Sequence, residues 1–152
     1  MKFGPIHVSD ALGTMLVHSQ TIAGERFRKG QVLGQADLNQ LLQAGVKEIT
    51  VAQFEPDDVD ENTAARRLAD AATGHGVRGG IEGTGRVNIF ATANGLIQID
   101  TDAINRVNCI DESITIATLR PLDRVEIDQV VATVKIIPFS VTEDNLRRAE
   151  AA

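Results

Sequence analysis

A glycine-rich segment in the middle of the chain constrains its fold more than any other feature. Residues 74–85, GHGVRGGIEGTG, contain six glycines in twelve positions. Glycine loses more conformational freedom on folding than any other residue, so this density disfavours a continuous helix or strand. The segment therefore predicts either a mobile loop or a series of tight turns. It separates a first half with clear helical patterns from a second half that is mainly strand-like.

The first half predicts a compact helix-glycine-strand unit. Between Gln35 and Ala44, apolar residues recur at the i, i+3, i+4 spacing of a helix with one apolar stripe: Leu38, Leu41 and Leu42. Gly45 follows where a left-handed C-terminal cap is expected. The next residues, KEITVAQ, alternate like a strand. A second helix is predicted over residues 61–73, with small residues along its apolar side.

The second half predicts mostly strands. RVNIFAT and GLIQID flank the Asn94–Gly95 pair, which is typical of a hairpin turn. Short helices are predicted at residues 101–109 and 142–150. The longest apolar stretch, VVATVKIIPFSV, is predicted to be a strand able to pair at a sheet edge. These patterns predict an α+β fold with two small subdomains, residues 1–73 and 87–152, joined by a glycine-rich linker at 74–86. The second subdomain is compatible with either a small barrel or a sandwich.

Composition excludes several function classes. The chain has 152 residues, a formal net charge of -6, five Phe, no Trp and no Tyr. General nucleic-acid binding is disfavoured, because it needs basic surfaces for phosphates and aromatic platforms for bases. No apolar run is long enough to predict a membrane span. The first ten residues lack a secretory apolar stretch, so we expect a cytoplasmic location.

No complete catalytic or metal-binding constellation is visible in the sequence. The histidines lack H-x-x-x-H spacing, and the one cysteine, Cys109, lies in a predicted helix where a small core residue is expected. His7, Ser9 and Asp10 have the residue types of a hydrolase triad, but nothing resembles a nucleophile elbow. We expect a protein that is not an enzyme by itself, with an unrecognised catalytic site as the alternative.

Several residues are candidates for contact with an anion. Arg26, Arg28 and Lys29 cluster on an arm predicted to turn at Lys29–Gly30, with a solvated turn as the alternative. Gly83, Gly85 and Arg86 belong to the glycine-rich segment, whose amides could cradle a phosphate or could only form turns. Asn88 and Lys135 lie in predicted strands, where they could line a groove or be satisfied locally.

Two sets of sequence patterns resemble proteins of molybdenum cofactor biosynthesis. FRKGQVLGQADLNQLLQAGVKEITVAQFEPDDV resembles a segment of bacterial molybdopterin molybdenumtransferases, over about residues 27–56. ALGTMLVHS, GRVNIFATANGLIQID and ITIATL with VVATVKIIPFSV resemble the N-terminal region of proteobacterial molybdopterin-binding proteins, over about residues 1–150. The matching positions are mostly structural: Leu12, Gly13, Gly30, Leu33, Gly45, Asn88, Lys135 and Pro138.

The resemblance implies a non-catalytic accessory domain, either a fragment of a longer protein or a stand-alone relative. It implies molybdopterin as the cofactor, bound here or only by a downstream pterin-binding domain. No catalytic residue is carried over from the family. The remaining expectations are a homo-oligomer, or a dimerisation module without any ligand.

Overall fold

In the computed structural model, which describes residues 1–152, the chain divides into two units, Met1–Pro56 and Asp57–Ala152. Both units combine helices with small antiparallel sheets, which confirms the predicted α+β class. The division follows Pro56 and does not fall in the glycine-rich segment at 74–86. The physical reason is that the helix before this segment packs on strands that follow it, so both contribute to one core.

The first unit is built around a three-stranded sheet and one helix. Its elements are β1 (Lys2–His7), a 3-10 turn (Val8–Asp10), β2 (Met15–Leu16), β3 (Gln20–Ile22), β4 (Glu25–Phe27), α1 (Gln35–Gln43) and β5 (Glu48–Gln53). Strand β5 lies between β1 and β2, while β3 and β4 form a separate hairpin. Helix α1 buries Leu38 and Leu41 in the core, but Leu42 is half exposed, so the apolar stripe is narrower than predicted. Gly45 has the predicted left-handed conformation, with φ 78°.

The second unit contains the other helices and a four-stranded sheet. Its elements are β6 (Asp58–Asp60), α2 (Glu61–Ala72), β7 (Val77–Gly79), β8 (Arg86–Ala91), β9 (Gly95–Leu96), α3 (Thr101–Asn108), β10 (Ile114–Thr118), β11 (Arg124–Val125), β12 (Val130–Ile136), β13 (Ser140–Thr142) and α4 (Glu143–Glu150). The sheet has the order β10-β12-β8-β7, and two further ladders join β9 to β11 and β6 to β13. The four-stranded sheet is open, with β10 and β7 at its edges, so it does not close into a barrel.

Two predicted strand pairings are wrong. Strands β8 and β9 do not form a hairpin across Asn94–Gly95, because β8 pairs with β7 and β12 while β9 pairs with β11. The apolar strand β12 lies in the middle of the sheet, where both of its edges are already hydrogen-bonded. It therefore has no free edge for pairing with a second copy.

One face of the four-stranded sheet forms the core of the second unit. Its inward residues include Val87, Ile89 and Val134, and helix α2 packs on β8 and β12. Ala64, Ala65 and Ala69 on α2 are fully buried, and these small side chains let the helix lie close to the sheet. Helices α3 and α4 contribute to the same core as α2, so all three lie on this side of the sheet and leave its opposite face without a helix of this unit. None of the helices has the length and apolar character needed to cross a bilayer.

Candidate anion-binding site

Three of the predicted polar residues lie together on the helix-free face of the four-stranded sheet. Strand β8 alternates, so Val87, Ile89 and Ala91 are buried while Arg86, Asn88 and Phe90 occupy the opposite face. Lys135 of β12 is the direct partner of Arg86, and Thr133 is the direct partner of Asn88. Directly opposite residues of an antiparallel pair have neighbouring side chains. We call Arg86, Asn88, Thr133 and Lys135 the polar sheet face.

The two cations of this face have no acidic partner. No carboxylate lies within ion-pair distance of Arg86 or Lys135, although most other arginines of the second unit are paired. The ammonium of Lys135 donates to the main-chain carbonyl of Thr84. Like charges directly opposite each other on a sheet repel. An anion bound between Arg86 and Lys135 would relieve that repulsion.

Asn88 supplies a hydrogen-bonding group beside these cations. Its Oδ1 accepts from the Thr133 hydroxyl at 3.0 Å. That bond orients the carboxamide and leaves its NH₂ without a protein acceptor. The face thus offers an amide donor and two positive charges on adjacent strands.

The predicted glycines form the turn that leads into β8. Thr84 and Gly85 both have positive φ, at 50° and 68°. The amide of Gly83 donates to Arg86 O at 3.0 Å, and the amide of Gly85 donates to Asn62 Oδ1 at 2.9 Å. Both amides are therefore occupied within the protein, which favours the structural alternative over a phosphate cradle for these two residues.

Close packing explains why position 85 is glycine. A Cβ built there would lie 2.7 Å from Ile136 O and 2.9 Å from Glu61 Oε2. A Cβ at Gly83 would meet nothing within 4 Å. The turn is thus held against helix α2 and strand β12 at Gly85 in particular.

Sequence reasoning missed two residues on the same side of the sheet. Arg78 of β7 lies over the Phe90 ring, with its guanidinium carbon 5.1 Å from the ring centroid, and it also bonds Asp128 at 2.7 Å. Arg78 was missed because β7 lies inside the glycine-rich segment, where the sequence predicts a loop or turns and no strand. Phe90 could have been found, since Arg86, Asn88 and Phe90 follow one another at the strand period of two.

The basic arm belongs to the first unit. Arg26, Arg28 and Lys29 are exposed on and after β4, while Phe27 between them is buried. The hairpin turns at Ala23–Gly24, where φ is 49° and 86°, and the predicted turn at Lys29–Gly30 only ends the arm. The structure therefore divides the predicted cations between two units. Within the second unit it brings Arg86 and Lys135 together.

The other reactive residue types form no arrangement for proton transfer. The Ser9 hydroxyl donates to Asp10 Oδ1 at 3.2 Å on the exposed surface. Cys109 is exposed at the end of α3 and is not the core residue that its predicted position suggested, because Val107 fills the buried side of that turn. No three His, Cys, Asp or Glu side chains lie close enough together to hold a metal ion. The chemistry offered by the polar sheet face is electrostatic and hydrogen-bonded recognition.

Comparison with protein-family models gives a match in the first part of the chain. The family model described as "Domain of unknown function (DUF8806)" matches residues 5–53, which lie within the first unit and cover less than half of the chain. No curated protein matches the chain, and no solved structure does.

Proposed function

We propose that this chain is an accessory module of molybdenum cofactor biosynthesis, without catalytic activity of its own, that binds an anionic pterin of the molybdopterin type. The observation that carries the proposal is the Arg86–Lys135 pair, two cross-strand cations without a carboxylate partner in a chain of net charge -6. The resemblance of both halves of the sequence to molybdopterin-binding proteins supports the choice of ligand.

The residues of the polar sheet face fit the chemistry of such a ligand. Arg86 and Lys135 would hold a phosphate through charge-assisted hydrogen bonds, for which a planar guanidinium is well suited. The free NH₂ of Asn88 would donate to an acceptor on the ligand. In this proposal the module works in the cytoplasm and presents the pterin to a downstream pterin-binding domain.

Calorimetric titration of the full chain with molybdopterin tests this function. The double variant Arg86→Gln/Lys135→Gln should bind at least about tenfold more weakly, since each lost charge-assisted bond contributes roughly 1.5–3 kcal/mol. A second double variant, Arg120→Gln/Arg124→Gln, changes the net charge equally at exposed positions of the same unit that are outside the polar sheet face. Equal affinity in the two double variants would refute a site at this face.

A separate variant tests the basic arm of the first unit. The triple variant Arg26→Gln/Arg28→Gln/Lys29→Gln should leave the affinity nearly unchanged if the polar sheet face alone binds the ligand. A large loss in the triple variant, with none in Arg86→Gln/Lys135→Gln, would move the site to the first unit.

A dimerisation module without ligand is the second candidate. Edge pairing of β12 is excluded as its mechanism, but Leu96 on β9 and Leu122, two residues before β11, are each 64% exposed. Apolar side chains exposed in this way favour a protein contact when they form one patch. Sedimentation velocity at several concentrations tests this candidate, and a monomer at the highest concentration would exclude it.

A further inference from the structure

The second unit contains a cavity, partly open to solvent, on the side of the sheet opposite the polar sheet face. Its volume is about 670 Å³, and its walls come from the inward face of the sheet, helices α2 and α3, and residues 93–100. Ile89, Ile116 and Val131 line it and are otherwise almost fully buried. Protein interiors are normally close-packed, and a volume of roughly 300–1,000 Å³ is typical of small-molecule sites.

Small residues line the cavity at several positions where larger side chains would narrow it. Ala91 on the sheet, Ala103 on α3 and Ala149 on α4 all line it. None of the five Phe residues does. A ligand that buries its apolar surface against this lining would bind through the hydrophobic effect and would stabilise the folded chain.

The charges around the cavity restrict the kind of ligand. No Lys or Arg lines it, and the ionisable side chains in its lining are His75, Asp100 and Glu150. Asp100 already accepts from the Ala103 amide at 2.9 Å, and Glu150 accepts from Arg67 at 2.8 Å. An anionic ligand would therefore lose its hydration without meeting a Lys or Arg side chain. Gln98 and Thr118 remain as uncharged hydrogen-bonding groups in the lining.

We propose that this cavity binds an uncharged, largely apolar small molecule that carries one hydroxyl or amide end group. The site is separate from the anion site, because Ile89 faces the cavity while its chain neighbour Asn88 faces the opposite side of the sheet. The two proposals can therefore fail independently.

The test uses the neutral fluorophore N-phenyl-1-naphthylamine, which brightens in apolar surroundings, with the full chain. We expect saturable binding that decanol reverses and that decanoate reverses at least about tenfold less well, since only decanoate brings a charge into a cavity that no Lys or Arg lines. Ala103→Leu should weaken fluorophore binding at least about tenfold by filling the cavity. Ala117→Leu is the matched control, because Ala117 is exposed on the other face of the sheet.

Circular dichroism shows whether each variant is folded. If Ala103→Leu does not fold, Ala93→Leu replaces it, since Ala93 lines the cavity from a segment outside helices and strands. Binding that is equal in the cavity variant and Ala117→Leu, or equal competition by decanol and decanoate, would overturn the proposal.

Discussion

Asn108, the last residue of α3, closes the outer edge of the four-stranded sheet. Its Oδ1 accepts from the Ile116 amide at 2.8 Å, and its Nδ2 donates to Ile116 O at 2.9 Å. Ile116 lies on edge strand β10, whose other side pairs with β12. The carboxamide thus occupies the two main-chain groups that a further strand would use. Edge strands that are not covered in some way are templates for pairing with another chain.

We predict that Asn108→Ala lowers the free energy of unfolding by about 2 kcal/mol, because it leaves the donor and acceptor of Ile116 without their protein partners. The lower end of the range, about 1 kcal/mol, applies if water reaches both groups. The expected fall in melting temperature is roughly 5–10 °C for a domain of this size. A second consequence is faster self-association, since the edge of β10 is opened.

Urea unfolding and sedimentation velocity measure these two effects. Asn105→Ala is the matched control, because Asn105 is exposed on the same helix and its side chain has no hydrogen bond. Both variants replace Asn by Ala on the same helix, so the comparison cancels the small gain in helix propensity that this replacement brings. Equal stability and equal sedimentation of the two variants would refute the role of the Asn108 carboxamide.

Two further predictions concern the packing of the second unit. Hydrogen bonds from Arg67, and to a smaller extent from Arg147, lower the pKa of Glu143 from its usual 4.5 to about 2. Ionised Glu143 therefore stabilises the fold above pH 4.5, and this contribution is lost as the pH falls toward 2. Glu143→Gln should therefore flatten the fall of the urea midpoint between pH 4.5 and 2, and an unchanged slope relative to the native chain would contradict this. Gly85→Ala should cost at least about 2 kcal/mol in urea unfolding, because the new Cβ meets Ile136 O and φ is positive, whereas Gly83→Ala should stay within about 0.5 kcal/mol. Similar costs at the two glycines would show that the turn moves to accept a side chain.

Helices could be predicted closely because their signals are local. The bounds of α1, α2 and α3 agree with the expected ranges to within a residue or so. Capping residues fix the N-terminal ends of α2 and α4. The Asp60 side chain accepts from the Asn62 and Thr63 amides, and Thr142 Oγ1 accepts from the Asn145 amide. Each of these bonds joins residues two or three positions apart, so a single stretch of sequence contains all the information.

Strand pairing could not be predicted in the same way, because its partners are distant in sequence. The Asn94–Gly95 pair favours a hairpin, yet Asn94 Oδ1 instead accepts from the Ile127 amide at 2.8 Å. The tertiary context thus uses the turn-forming residue to fix a loop more than thirty residues away. The domain boundary depends on the same long-range pairing, since β7 joins the sheet from within the glycine-rich segment.

The candidate site shows where local and long-range information combine. Arg86, Asn88 and Phe90 share one face for a reason that the sequence contains, the strand period of two. The position of Lys135 beside Arg86 depends on the register between β8 and β12. This register includes an irregularity between Val130 and Ala132. A shift of the register by one residue would turn Lys135 toward the core, where its charge would lose hydration. The charge of Lys135 therefore helps to select the register that creates the polar sheet face, so the residue proposed to bind the anion also favours the pairing that positions it.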